Sequence, residues 1–273
     1  MRASVVIRVR DEADALQRLL GLLAGQTADH EVVVVDSGSR DGGPEVARAA
    51  GARVLELPRE DFTFGGALNV GAGVCASEVV VALSAHAFPR DRGWLERMAS
   101  ALDDPEVACA FGPERDAGGR PLEHPVFQDA ERLRAAPEWG YSNGAGAFRR
   151  SLWSERGFRA DMPGTEDREW ALWALEERGR VCVLDPALAV EHDHLHDGLR
   201  YTFVRARREA RGYAMFLDLP PYGARAAAGE WWGEQGWHRS PLRARLDPRR
   251  AARVAGTWAG RRGPALRRPG RRG

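Results

Sequence analysis

The sequence predicts an α/β fold in which a mostly parallel central sheet is flanked by helices and followed by a helical, arginine-rich extension. Three observations predict it. Residues 32–36 read VVVVD, four β-branched side chains that suit a short strand buried on both faces and that stop abruptly at a carboxylate. Apolar strand patterns alternate with helical ones through the first half of the chain, the order that builds a parallel sheet by crossover connections. From Tyr222 onward the composition shifts to Trp, Arg, Ala, Gly and Pro, which marks an appended region.

Taken in order, Val5 to Val9 is a strand, with Arg8, Asp11 and Glu12 in or just after it, where open α/β sheets bind ligands. Leu16, Leu19, Leu20 and Leu23 recur at helical spacing, with Gly25 as a C-cap. After 32–36 come Ser37, Gly38, Ser39 and Asp41. Asp36 is either the floor of a nucleotide site or an N-cap for a helix over Pro44 to Ala50. Ala52 to Leu57 is a third strand. In FTFGGALNVG (62–71) paired glycines let backbone approach a ligand, and a helix over Ala67 to Ala76 would offer its N-terminus to a phosphate.

Glu78 to Leu83 is a fourth strand and delivers Ser84, Ala85 and His86 to the same edge. His86 is open to three readings: metal ligand, proton carrier or solvated loop residue. A helix over Gly93 to Leu102 and a strand over Val107 to Gly112 follow, then an irregular stretch, Arg115 to Arg134, read as a loop over the site. Gly164-Thr-Glu-Asp-Arg-Glu-Trp170 opens a helix running through Arg178, N-capped by Thr165. Its acids suit the helix dipole, and a carboxylate at a helix mouth can also act as a general base. Val181 to Leu184 and Leu188 to Val190 are strand pieces leading to His192, His194 and His196. In an extended segment these three imidazoles share one face, which suits a metal or a diphosphate. The helix from Tyr201 to Met215 carries Arg205, Arg207, Arg208 and Arg211, whose cationic face either neutralises phosphates or is simply solvated.

The 273 residues are 44% hydrophobic with mean hydropathy −0.43, which suits a globular body, and no apolar run approaches the roughly 20 residues of a bilayer span. The N-terminus enters a strand at once, without signal-peptide anatomy, so a cytoplasmic protein is expected. Cys75, Cys109 and Cys182 lie far apart and read as buried thiols rather than a disulfide or zinc framework. No lysine is present. Net charge is +1, yet Ser240 to Gly273 holds eleven arginines against Asp247 alone, leaving the rest of the chain acidic. Such a tail suits peripheral contact with an anionic membrane, at the inner face of the membrane, or serves solubility; no nucleic-acid reading motif accompanies it, and no nucleic acid is expected.

Together VVIRVRDEA, DSGSRDG, FTFGGALNVGAG, ALSAHAFP, GTEDREW and the HDH segment resemble, in order and spacing over about residues 3 to 215, the family 2 glycosyltransferases. FGGALNVG with the His192-x-His194 pair looks most like the rhamnosyltransferase-like branch. The resemblance implies a GT-A, Rossmann-like domain over 1–215, a C-terminal extension over 216–273, and inverting transfer of a hexosyl or deoxyhexosyl group. The donor would be a nucleotide-diphosphate sugar. The acceptor hydroxyl would belong to a glycan, a lipid-linked sugar or a small molecule, as in cell-envelope polysaccharide synthesis.

Position by position, the resemblance implies that Asp167, beside Glu166, is the base. Arg8, Asp11, Asp36, Ser37, Gly66, Asn69, Ser84, Ala85 and Trp170 would line the nucleotide-sugar site, and His86, His192 and His194 would hold a divalent metal, Mn²⁺ or Mg²⁺. One departure stands out: Ser84 and His86 occupy the place of the family's paired aspartates. Imidazole suits Mn²⁺ better than Mg²⁺. Three readings follow, namely a Mn²⁺-like ion on His86 and His194, metal-independent action through imidazole and arginine cations, or an inactive relative that binds nucleotide sugars or glycans without catalysis. A nucleotidyltransferase is disfavoured, because RVRDEADAL lacks a glycine-rich loop after the first strand.

Overall fold

The computed structural model describes residues 2–116, 119–192, 198–232 and 248–262. The first half follows the predicted alternation: β1 (Ala3–Val9), α1 (Ala13–Ala24), β2 (His30–Asp36), α2 (Gly43–Ala49), β3 (Arg53–Glu56), α3 (Phe64–Ala72) and β4 (Val79–Ser84). Then come β5 (Ala87–Pro89), α4 (Trp94–Ser100), β6 (Val107–Phe111), β7 (Val126–Gln128), α5 (Ala130–Ala135), β8 (Ala145–Arg149) and α6 (Arg150–Glu155). The last elements are α7 (Glu166–Glu177), β9 (Val181–Leu184), β10 (Val190–His192), α8 (Leu199–Tyr213), α9 (Ala224–Trp232) and α10 (Pro248–Arg261).

Eight strands form one sheet in the order β3-β2-β1-β4-β8-β6-β9-β7. It is parallel except where β8 runs against β4 and β6 and where β7 runs against β9. The register places Arg8 level with Val35 and Ser84, and Val9 level with Asp36, so the polar ends of β1, β2 and β4 meet at one edge. Val33, Val34 and Val35 are fully buried. Alternation sends Val5, Ile7 and Val34 into the layer containing Leu16, Leu19 and Leu23 of α1. Val6, Val33 and Val35 enter the opposite layer, with Leu68 of α3 and Trp170 of α7.

Three expectations change. The stretch 115–134 is not wholly irregular: β7 pairs with β9, and Asp129 caps α5 by accepting a hydrogen bond from the Arg132 N–H. Elements of three and six residues are too short to show a period. Helix α3 starts at Phe64 rather than Ala67, because the Thr63 hydroxyl accepts the Gly66 N–H and fixes the start there. Thr165 does not cap α7 with its side chain. It sits at φ 65°, in the left-handed region, and its hydroxyl turns back to the Gly164 carbonyl.

Close backbone contacts set the layers around the site. A Cβ on Gly71 would collide with Val6, so α3 lies directly on β1, and one on Gly212 would collide with the Gly164 carbonyl, so α8 lies on the turn that starts α7. Helix α10 packs along α8, with Gly256 and Gly260 against the backbone of Phe203 and Arg207. That much of the arginine-rich extension is packed on the body, while residues 263–273 lie outside the described residues.

Candidate functional site

At the carboxyl end of β2, Asp36 is 2% exposed and its Oδ2 accepts the N–H groups of Gly38 (3.0 Å) and Ser39 (3.1 Å). Asp11 accepts the Arg40 N–H at 2.9 Å and donates its own N–H to the Ser39 hydroxyl at 2.9 Å. Asp41 accepts the Ala13 N–H at 2.7 Å. The turns after β1 and β2 are thus tied to each other. This rigid frame leaves two buried polar atoms, Asp36 Oδ1 and Ser37 Oγ, without partners among the described residues. Buried acceptors are normally satisfied, so an orphaned carboxylate oxygen at a strand's carboxyl end fits an incoming N–H such as that of a nucleobase.

At the centre of the edge, β4 ends in Ser84, whose N–H donates to the Gly144 carbonyl at 2.9 Å; Ala85 is fully buried. His86 Nδ1 lies 3.2 Å from a Glu12 carboxylate oxygen. Strand β10 pairs antiparallel with β5, setting His192 opposite Ala87, so the His86 and His192 rings stand 5.6 Å apart. His194 lies outside the described residues. Among the described residues no three metal-ligating side chains converge. What is present still fits one side of a divalent site: two imidazoles, one of them held through Nδ1 by a carboxylate, the arrangement that orients a ligating ring.

At the mouth of α7, Glu166 and Asp167 are 4% and 5% exposed. Asp167 is fully engaged. Its Oδ2 accepts the Asn143 N–H at 3.0 Å, and its carboxylate accepts the Arg168 N–H at 2.9 Å and the Arg168 guanidinium at 3.0 Å. Burial, the largest single influence, would lower the Arg168 pKa, but Asp167, Tyr213 and Glu209 together outweigh it and the value rises. Glu166 faces Arg8 instead, at 3.6 Å, and Arg8 also donates to the carbonyls of Phe64 (3.2 Å) and Asn143 (3.3 Å). Burial first, then repulsion from Asp167, push the Glu166 carboxyl up to about 7, against the pull of Arg8.

The structure places Arg8, Glu166 and Asp167 at the mouth of α7, Asp11, Asp36 and Ser37 at the carboxyl ends of β1 and β2, and Ser84, His86 and His192 at the end of β4 and along the β5–β10 pair. Three expected donor contacts have structural work. Trp170 is fully buried, its indole N–H donating to the Arg156 carbonyl at 2.8 Å and its ring packed 5.4 Å from Phe158 and 5.8 Å from Phe148. The Asn69 amide accepts the Phe158 N–H (2.9 Å) and the Trp153 indole N–H (2.9 Å) and donates to the Phe158 carbonyl (2.7 Å), stitching α3 to the turn before α7. Gly66 gives its N–H to Thr63 rather than to a ligand. Sequence reasoning gave Phe64 and Arg168 no site role of their own. No local pattern marks them, because Phe64 meets an arginine 56 positions away and Arg168 bonds the adjacent residue.

The fold recurs in known proteins. Over 116 residues, 40% of this chain, the sequence is 35% identical to glycosyltransferase AglE of Haloferax volcanii. The chain spans about a quarter to two fifths of the length of the curated relatives it matches, 26% and 38%. Mannosyltransferase PcManGT from Pyrobaculum calidifontis, solved with GDP-Man and Mn²⁺, superposes with TM-score 0.63 at 21% identity, over 95% of this chain and 72% of that one. Glucosyl-3-phosphoglycerate synthase from Mycobacterium tuberculosis, solved with Mn²⁺, UDP and glucosyl-3-phosphoglycerate, gives TM-score 0.58 at 16% identity over 80% of each chain. These likenesses establish the GT-A fold. The family model for glycosyl transferase family 2 matches residues 4–157, more than half the chain, and the protein belongs to that family.

Proposed function

We propose that the protein is an inverting glycosyltransferase that moves a hexosyl or deoxyhexosyl group from a nucleotide-diphosphate sugar to an acceptor hydroxyl on a glycan, a lipid-linked sugar or a small molecule. Arg8 carries the reading. It lies on the strand next to that of Asp36 and reaches Asn143 and Glu166, so one sheet edge joins a base-binding carboxylate to a buried pair of acids. The GDP-Man and UDP held by the two structural neighbours support a nucleotide donor.

In this reading Asp36 and Ser37 take the nucleobase, with Asp11 bracing their loop, while Ser84 and Ala85 border the diphosphate. His86 and His192, with His194, would hold a divalent ion, Mn²⁺ in preference to Mg²⁺, whose positive charge would neutralise the diphosphate. Asp167 takes the acceptor proton as that oxygen attacks the anomeric carbon opposite the leaving diphosphate, which inverts the configuration. Glu166 competes for the role, because the Asp167 carboxylate already accepts from the Asn143 N–H and from the backbone and guanidinium of Arg168, whereas Glu166 has a longer contact to Arg8 and a bond to its own backbone N–H. The arginine tail adds peripheral contact with an anionic membrane. No helix of the described residues is long and apolar enough to cross one.

A second reading, a non-catalytic nucleotide-sugar or glycan binder, draws on the engaged Asp167 and on Ser84 and His86 standing where an acidic pair is expected. Calorimetry with UDP, GDP and dTDP, each with Mn²⁺, Mg²⁺ or EDTA, on the wild type and on His86→Ala tests the donor site. One diphosphate should bind in a Mn²⁺-dependent way that the variant loses. Binding indifferent to EDTA would remove the metal, and binding without donor turnover would leave the non-catalytic reading.

A further inference from the structure

We propose that Arg208, stacked on Phe64, is a binding residue for a phosphate group at the mouth of α7. The inference deepens the transferase reading above and rests on it for the origin of the phosphate. Four other buried or half-buried guanidiniums near this mouth have anionic or carbonyl partners. Arg205 pairs with Glu209 at 2.9 Å, Arg168 with Asp167 at 3.0 Å and Arg156 with Glu169, while Arg8 bonds two carbonyls beside Glu166. Arg208 has none. Among the described residues it makes no hydrogen bond or ion pair, and its Nε is buried without a partner.

Its position is nonetheless fixed. The guanidinium lies 4.2 Å from the centroid of the Phe64 ring, on which Arg8 also bears from 5.6 Å, and its stem packs so closely on Gly164 that a Cβ there would stand 3.1 Å from Nε. A solvated arginine has no need of such a seat. Burial, ahead of every neighbouring charge, lowers the pKa of Arg208, the sign of a cation removed from water without a full counter-charge. Around the mouth, Arg8, Arg168, Arg205 and Arg208 face Glu166, Asp167 and Glu209, one guanidinium more than carboxylates. An oxyanion that accepts the guanidinium fork would complete the charge balance, and phosphate matches that fork. Two sources share this chemistry: the donor's diphosphate, or a phosphate on the acceptor.

The test is calorimetry of the full chain and its Arg208→Gln variant, with Arg207→Gln, an exposed change on the same helix, as control. Ligands are UDP, GDP and dTDP, the matching nucleosides, and inorganic pyrophosphate added alone or to nucleotide-saturated protein. If the donor supplies the phosphate, Arg208→Gln weakens the preferred nucleoside diphosphate about tenfold or more while nucleoside affinity is unchanged. If the acceptor supplies it, diphosphate affinity is unchanged, and pyrophosphate binding to the saturated protein is lost in the variant. Equal binding of all ligands by the wild type and Arg208→Gln overturns the proposal. Failure of every nucleotide to bind the wild type would defeat the transferase reading alone; pyrophosphate by itself then decides Arg208, and equal or absent binding to both proteins overturns it. Should Arg208→Gln not fold, Arg208→Lys, which keeps the charge and loses the fork, is read in its place.

Discussion

The Asp36 end of the sheet edge and the mouth of α7 are both built on buried carboxylates, but they are wired in opposite ways. Around Asp36 the donors are backbone N–H groups of adjoining turns, the cross-links run between residues about thirty apart, and one carboxylate oxygen is left over. Around Asp167 and Glu166 the partners are the adjacent Arg168 and, from distant parts of the chain, Arg8 and the Asn143 loop, and the guanidinium of Arg208 is left over. One region keeps an unsatisfied acceptor and the other an unsatisfied cation, which in the proposed reading would meet a nucleobase N–H and an anionic group respectively.

The sharpest way to break this contrast is to neutralise the acids one at a time. Asp167→Asn should cost on the order of 10² to 10⁴ in donor turnover while leaving nucleotide affinity intact. If Asp167→Asn turns over like the wild type and Glu166→Gln carries the loss, the base is Glu166 and the N–H groups on Asp167 are structural. On the other side, Asp36→Asn keeps an oxygen for Gly38 and Ser39 but turns an NH₂ toward the base, and should weaken nucleoside diphosphate binding by about 10- to 100-fold. Calorimetry reads it; unchanged affinity would mean that Asp36 serves the turn alone.

The smallest effect is on stability. The Glu166 carboxyl rises from its ordinary 4.5 to about 7, so the folded chain binds this proton more tightly than the unfolded one. Its contribution to stability is therefore full below about pH 4.5 and is lost as pH rises to about 7. Melting temperatures measured across that window should fall more steeply for the wild type than for Glu166→Gln. Parallel curves would show that Glu166 is not held protonated.

The two regions were also unequally legible. Asp36 announces itself because VVVVD followed by small turn-formers states both the burial of the strand and the place where it ends. The leucines of α1 are buried as their spacing requires. Acids at the start of α7 were equally visible, but not which of them would be engaged, because Asn143 and Arg8 reach them through the tertiary fold. Trp170 misled for a physical reason: an aromatic residue one turn into a helix that borders a cleft can face either way. Here it faces Phe148 and Phe158, in contacts of about 0.5–1.5 kcal/mol per ring pair beyond area burial. His86 was visible, while its meeting with His192 depends on β5 and β10, strands of three residues that carry no period of their own.

The central claim is that one sheet edge joins a nucleotide site to an acid pair that performs a single inverting displacement. Early-time proton NMR of the sugar released from the nucleotide-sugar that the protein binds, with water as acceptor and before mutarotation, tests it most directly. The account predicts that the first-formed sugar has the anomeric configuration opposite to the donor's and that its release collapses in Asp167→Asn. Release with the donor's own configuration, or no release from any donor whose nucleotide binds tightly, would contradict it.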